Sequence, residues 1–254
     1  MKKYEFTGET KRVELWNRTA TLHRIKATVE FGFVKVGELG GWIEKEENLS
    51  HEGKAWVCDD AKVWGNAKVW GNAKVWGNAK VCDDAEVCDD AKVWGNAEVC
   101  DDAKVWGNAK VWGNAKVCGD AKVCGDAKVC GDAEVWGNAK VWGNAEVWGN
   151  AKVWGNAEVC DDAKVWGNAK VCGDAEVFLA SHVLVMGSVG SRNDFTTFFR
   201  DKDNEITVKC GCFLGKIDKF LEKVTQTHGN NKYALVYRAA VEVAKLQIEL
   251  TERK

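Results

Sequence analysis

Residues able to do chemistry cluster in two places in this 254-residue sequence. The first is the C-terminal quarter. Cys210-Gly211-Cys212 ends an extended run just before a helical one, and a thiol at a helix N-terminus can titrate low. Ser191, Arg192 and His228 occupy turn-like positions of the same stretch. These five outline a small-ligand pocket against the end of the preceding segment. Their structural alternatives are buried thiols, a surface arginine and a histidine closing a helix C-terminus. The second place is a repeated segment in which Trp and Cys recur at one fixed position. There Cys82, Cys100 and Cys118 fall at even intervals, beside Asp83-Asp84, Asp101-Asp102 and Gly119-Asp120. Thiols beside carboxylates suggest a soft-metal or redox ladder. No histidine recurs with them and no Cys-x-x-Cys occurs. No metal or cofactor is therefore expected, and the cysteines are expected as reduced thiols rather than a disulfide framework.

The element that must position the second group is a period of six. From Ala55 to Val177 the chain repeats Ala-x-Val-y-z-(Asn/Asp) without a break, with 21 valines in register. The x residue is Lys 14 times, Glu six times and Trp once; y is Trp 11 times, Cys nine times, and Phe178 last. Alternation puts Ala and Val on one side of a short strand and Lys or Glu on the other. Gly-Asn, Gly-Asp or Asp-Asp then turns the chain, because these residues tolerate left-handed backbone. Three such hexapeptides close a triangular coil, which returns the chain to the same face at i+18. Stacked at ~4.8 Å, seven coils give a shaft of roughly 34 Å. The absence of proline fits a chain in which nearly every residue bonds in a ladder or holds a corner.

Coils of three hexapeptides stack the y side chains in three rows. One row contains Trp76, Trp94, Trp112, Trp148 and Trp166. Each indole can bury ~150–250 Å². Such a row is either a structural stack over the corners or a binding edge for another protein, a second copy or a sugar. Trp always precedes Gly-Asn, whereas Cys precedes Asp-Asp or Gly-Asp. That coupling points to duplication of a few cassettes.

The spacing Val-y-z-Asn-Ala-Lys resembles the hexapeptide repeat of left-handed β-helix proteins. That resemblance implies the fold and the handedness, but no single activity. Gly37–Ser50 (GELGGWIEKEENLS) and Gly190–His228 (GSRNDFTTFF to TH) resemble the ends of tandem-repeat proteins frequent in gut-associated bacteria and their phages or prophages. The likeness implies a mobile-element setting and carries over no catalytic residue. Residues 1–54 are expected to form an N-terminal β cap. It would hold a hairpin around Gly8, strands at Thr21–Ile25 and Phe33–Val36, and an entry to the first coil at Gly37–Glu44. The solenoid is expected over 55–189, its last two units degenerate. A ββαα domain is expected over 190–254. Its hairpin lies around Asp201–Asn204, and its helices carry Ile217, Phe220, Leu221 and Val224, then Tyr233, Tyr237, Ala240, Ala244 and Ile248.

Function is read mainly by exclusion. A hexapeptide acyltransferase needs a general base and a protruding loop, but the array has neither histidine nor insertion. All four histidines (23, 51, 182 and 228) lie in the ends. Residues 55–178 carry a net charge of −6 and the whole chain −2, so no nucleic acid is expected as a partner. No apolar run reaches the ~18 residues of a membrane span, and no signal peptide is visible. The expectation is a mainly β, non-enzymatic rod in the cytoplasm of a bacterial host cell. It would bind a protein partner or itself through its Trp rows. A small-ligand protein or enzyme with its site in the C-terminal domain, and a carbohydrate-binding rod, remain alternatives. Because the caps must stay in register, array lengths among close relatives should differ by whole coils, in multiples of three hexapeptides. A survey finding mostly other steps would argue against the triangular coil.

Overall fold

The computed structural model describes residues 2–15 and 18–250. Each unit of the array forms a two-residue strand, from Trp56–Val57 to Glu176–Val177. Every array strand pairs in parallel with the strand three units away; Val93, for example, pairs with both Val75 and Val111. The strands so form three parallel sheets, the three faces of a solenoid of about eight coils. All array valines are fully buried, as are the alanines from Ala55 to Ala169. A buried Val contributes roughly 1.5–3 kcal/mol of transfer free energy. One coil holds only three of them, so each coil depends on its neighbours.

The coil beyond the expected seven comes from the N-terminal cap. Strand β3 (Leu39–Ile43) pairs in parallel with Lys62–Val63, and Leu49 bridges to Val69. Gly41 is required at this entry, because a Cβ there would lie 2.7 Å from the Ala61 carbonyl oxygen. The cap hairpin differs from the expected one. Strands β1 (Tyr4–Glu14) and β2 (Thr19–Ala27) form one long antiparallel pair. Gly8 sits where their register shifts rather than at a turn. Its φ of +90° serves a bulge, and the chain reverses between Glu14 and Thr19. Phe33–Val36 is not a strand; this loop contributes only a bridge between Phe31 and Val34. Tyr4 locks the cap by donating its hydroxyl to the carbonyls of Glu46 and Leu49, both at 2.9 Å. Buried Lys3 donates to the Ala55 carbonyl at 2.7 Å, and burial lowers its pKa to about 8.

At the other end the expected degenerate hexapeptides do not stack as coils. Val183–Val189 pairs antiparallel with Asp194–Arg200, which continues to Ile206–Cys210 and Phe213–Lys216. The domain thus has four strands before its two helices. Cys210 pairs with Phe213, which makes Cys210-Gly211-Cys212 a strand-to-strand turn rather than a helix entry. Helix α1 (Ile217–His228) buries Phe220 and Val224. Helix α2 (Lys232–Gln247) starts at Asn231, whose side chain accepts from the Tyr233 and Ala234 amides. Buried Arg200 docks this domain on the shaft. It donates to the Glu176 carboxylate at 2.8 Å and lies 4.8 Å from the Phe178 ring centre. His182 is buried beside it, and burial with the Arg200 charge lowers its pKa to about 4.

The corners carry the sharpest steric constraint. Gly113 has φ +76°, and a Cβ there would sit 2.9 Å from both the nitrogen and the oxygen of Gly131. Asp nevertheless fills the equivalent position at five corners, with φ between 53° and 60°. At three of them its carboxylate accepts the amide of the glycine one coil on, as Asp101 does from Gly119 at 2.9 Å. Gly113→Ala should therefore cost more than about 1 kcal/mol. Gly113→Asp should cost clearly less, because Asp tolerates this backbone and its carboxylate can accept the Gly131 amide as Asp101 accepts that of Gly119. Urea midpoints of the two variants would decide; equal losses would refute this account of the corner.

Candidate functional site

Rows of y side chains stand where the coil register puts them. Trp76 stacks on Trp94 with ring centres 4.8 Å apart, and Trp94 on Trp112 at 4.9 Å. The rings are parallel within 3°. Trp148 and Trp166 form a second stack in the same row, at 5.5 Å. Both faces of the Trp94 indole are therefore covered, and what remains is a ribbon of ring edges. These indoles are half-buried, apart from the exposed Trp166. Each such contact contributes ~0.5–1.5 kcal/mol, so the row serves stability as well as surface.

Other rows differ because the cassette order differs. Trp64 is buried with Trp42, Leu22 and Cys82 beneath the cap hairpin. Cys82, Cys100 and Cys118 follow one another up a single corner, and parallel stacking leaves the last two Cα atoms 4.8 Å apart. That is within reach of a disulfide, and the structure joins Cys100 to Cys118, contrary to the expectation of reduced thiols throughout. With Asp101 they form the one compact metal-holding group among the described residues. Their sulfurs, being joined, supply no thiolate. Burial and the neighbouring Asp83 carboxylate push the Cys82 thiol far up. Burial pushes the Cys58, Cys88 and Cys172 thiols to about 11. These groups are neutral thiols at pH 7, which weighs against nucleophilic or redox chemistry at them.

A feature invisible in the net charge lies next to the longest Trp stack. On that face Lys92 pairs in register with Lys74 and Lys110. Lys also stands in register with Lys on the other faces, as Lys62 with Lys80 and Lys104 with Lys122, but there one member of each of these two pairs also meets Glu. The Lys–Glu pairs are Lys80–Glu98, Lys104–Glu86, Lys128–Glu146 (farther along the face of Lys92), Lys140–Glu158 and Lys152–Glu134. At its cap end this face opens into a groove of about 670 Å³. Phe33, 88% exposed, overhangs it, and Lys74 Nζ lies 4.5 Å from the Phe33 ring centre. Lys54, Lys74 and Lys92 line it with Trp76, against Glu38 and Asp90. Sequence reading missed this groove because its walls come from a loop and from residues on successive coils.

Ser191, Arg192, Cys210, Cys212 and His228 come together around one cavity of about 220 Å³. Its walls belong to the C-terminal domain alone, so it is not closed by the last coil. Ser191 Oγ lies 3.4 Å from His228 Nε2, and Cys210 Sγ 3.9 Å from the Tyr237 hydroxyl. Burial and the adjacent Cys210 raise the Tyr237 pKa. Lys223, Thr227 and Tyr237 also line the cavity, and no carboxylate does. His228 closes helix α1 as expected.

Among the described residues no helix is long and apolar enough to cross a membrane. No family model matches the chain, and no curated protein sequence matches it.

Proposed function

We propose that the chain is a non-enzymatic interaction rod that binds a protein partner, or a second copy of itself, through the Trp76–Trp94–Trp112 edge. The observation behind this reading is the uninterrupted indole ribbon, whose rings close on each other and leave an apolar edge in water. A sugar needs an open indole face; within the stack Trp94 has none, and the row opens where Trp112 and Trp148 flank the cavity over Cys130. Absence of histidine and of inserted loops from the array weighs against acyl transfer. A phage or prophage setting rests on the resemblance of Gly37–Ser50 and Gly190–His228. Replacing Trp76, Trp94 and Trp112 by Ser, near in shape to the Cys of nine units, should leave the coils intact. It should lower the mass seen by analytical ultracentrifugation, or abolish recovery of a bound partner. A variant unchanged in both would exclude this edge.

A second reading places a small ligand in the C-terminal cavity. It is favoured by the convergence of Ser191, Arg192, His228 and both cysteines on one wall set without a carboxylate. A nucleotide or metabolite that binds there should raise the unfolding midpoint, and Arg192→Ala should remove the rise. A screen in which no compound shifts the midpoint would dismiss this reading.

A further inference from the structure

We infer that the face carrying Lys74, Lys92 and Lys110 binds an acidic peptide segment of a partner protein, alongside the Trp76–Trp94–Trp112 ridge. This rests on the interaction-rod reading and adds the partner's chemistry. Like charges directly opposite each other on neighbouring strands are destabilising. The array sets Glu against Lys in five ion pairs, one of them Lys128–Glu146 farther along this same face. Lys74, Lys92 and Lys110 have no ion-pair partner among the described residues, although they stand on consecutive coils. Anions arriving along the shaft would relieve both in-register repulsions, Lys74–Lys92 and Lys92–Lys110, at once.

The surroundings favour the same occupant. The corner beside the ridge carries Asn78, Asn96 and Asn114, whose amides bond to one another at 3.2 and 3.0 Å. Carboxylates enter that corner only at the coils below and above, and there they are engaged. Asp59 accepts the Gly77 amide, Asp60 pairs with Lys11, and Asp132 accepts from Asn114. On the other flank Asp89 accepts the Gly107 amide and Asp90 accepts the Asn72 amide, so both carboxylates are engaged as well. Lys54 joins Lys74 and Lys92 in the groove under Phe33, where Glu38, which accepts the Lys35 amide, and Asp90 are the carboxylates.

Spacing narrows the partner further. Successive coils stand ~4.8 Å apart. Three residues of an α-helix rise ~4.5 Å. A helix with Glu or Asp at i, i+3 and i+7, lying along the shaft, presents one carboxylate to each ammonium. Its aliphatic neighbours then meet the indole edges. A single nucleic-acid strand would need an open aromatic face for each successive base; along the ridge Trp94 has none, and Phe33 offers one at the cap end alone.

The test titrates a fluorescein-labelled helical peptide bearing Glu at i, i+3 and i+7 into the full chain, following anisotropy. Lys74→Glu, Lys92→Glu and Lys110→Glu combined should weaken binding by about tenfold or more. Glu already occupies this position in six units, so the variant should fold; circular dichroism checks that it does. The control, Lys68→Glu, Lys116→Glu and Lys122→Glu on the other faces, makes the same charge change and should stay within about twofold. Raising the salt should weaken the wild-type complex. The inference is overturned if the wild type does not bind the peptide, or if both triple variants lose binding equally. It is also overturned if a single-stranded oligonucleotide of equal charge binds more tightly. The Trp76, Trp94 and Trp112 serine variant separates the readings. Loss of the protein partner in that variant, with no peptide binding by the wild type, would sink the acidic-partner inference and leave the rod standing.

Discussion

In-register stacking of one coil on the next is the constraint on which the rest of this molecule depends. Each strand contributes two residues to its ladder, too few to hold a sheet by side-chain packing alone. The ladder persists because the equivalent residue of the next coil repeats the same backbone geometry. This dictates small, identical interior residues: a larger side chain at an Ala position would meet its own copy above and below. It also dictates the corners. Where glycine stacks on glycine, backbone approaches backbone with no room for a Cβ. Where aspartate replaces it at Asp59, Asp89 and Asp101, the carboxylate bonds the next amide and compensates for the crowding.

A stack of this kind has two raw edges, and unpaired strand edges invite pairing with other chains. The two ends solve this differently. The N-terminal cap turns an antiparallel hairpin into the first parallel rung through Leu39–Ile43 and slides Trp56 beneath Tyr4 and Phe31. The C-terminal domain lays a strand ending in Arg200 across the last coil and ties it through Glu176 and Phe178. Both caps bury polar groups that the array never does: Lys3, His182 and Arg200. Variety of side chain is needed only where translation symmetry stops.

This explains what was legible in the sequence. A period of six with in-register Val and Ala specifies strand, corner and coil, because each unit meets only copies of itself. The Trp76–Trp94–Trp112 stack followed from counting every third unit. The five residues of the C-terminal cavity could be singled out as polar groups at turns, yet the fourth strand that shapes it could not. Phe213–Lys216 is too short to show an alternation, and its pairing is set by Cys210 across the Gly211 turn. Gly8 misled because glycine marks a bulge as readily as a turn. The lysine face escaped because net charge sums over corners and faces that point in different directions. Asp residues at the corners cancel Lys residues on the faces in the sum but not in space.

The core and the surface of the shaft are therefore set by different features of the same repeat. Ala and Val are invariant, so one cassette can replace another without changing the interior. The x and y residues vary, and their effect depends on which cassettes fall three units apart. A Trp cassette stacked on another Trp cassette gives a ring pair; on a Cys cassette it gives none, as Trp70 over Cys88 shows. Lys above Glu gives an ion pair, and Lys above Lys gives an unrelieved charge. Duplication and reordering of near-identical units can thus rewrite rows of aromatic edges and charges without changing the interior. A rod built this way separates the part that must be conserved in shape from the part that meets a partner.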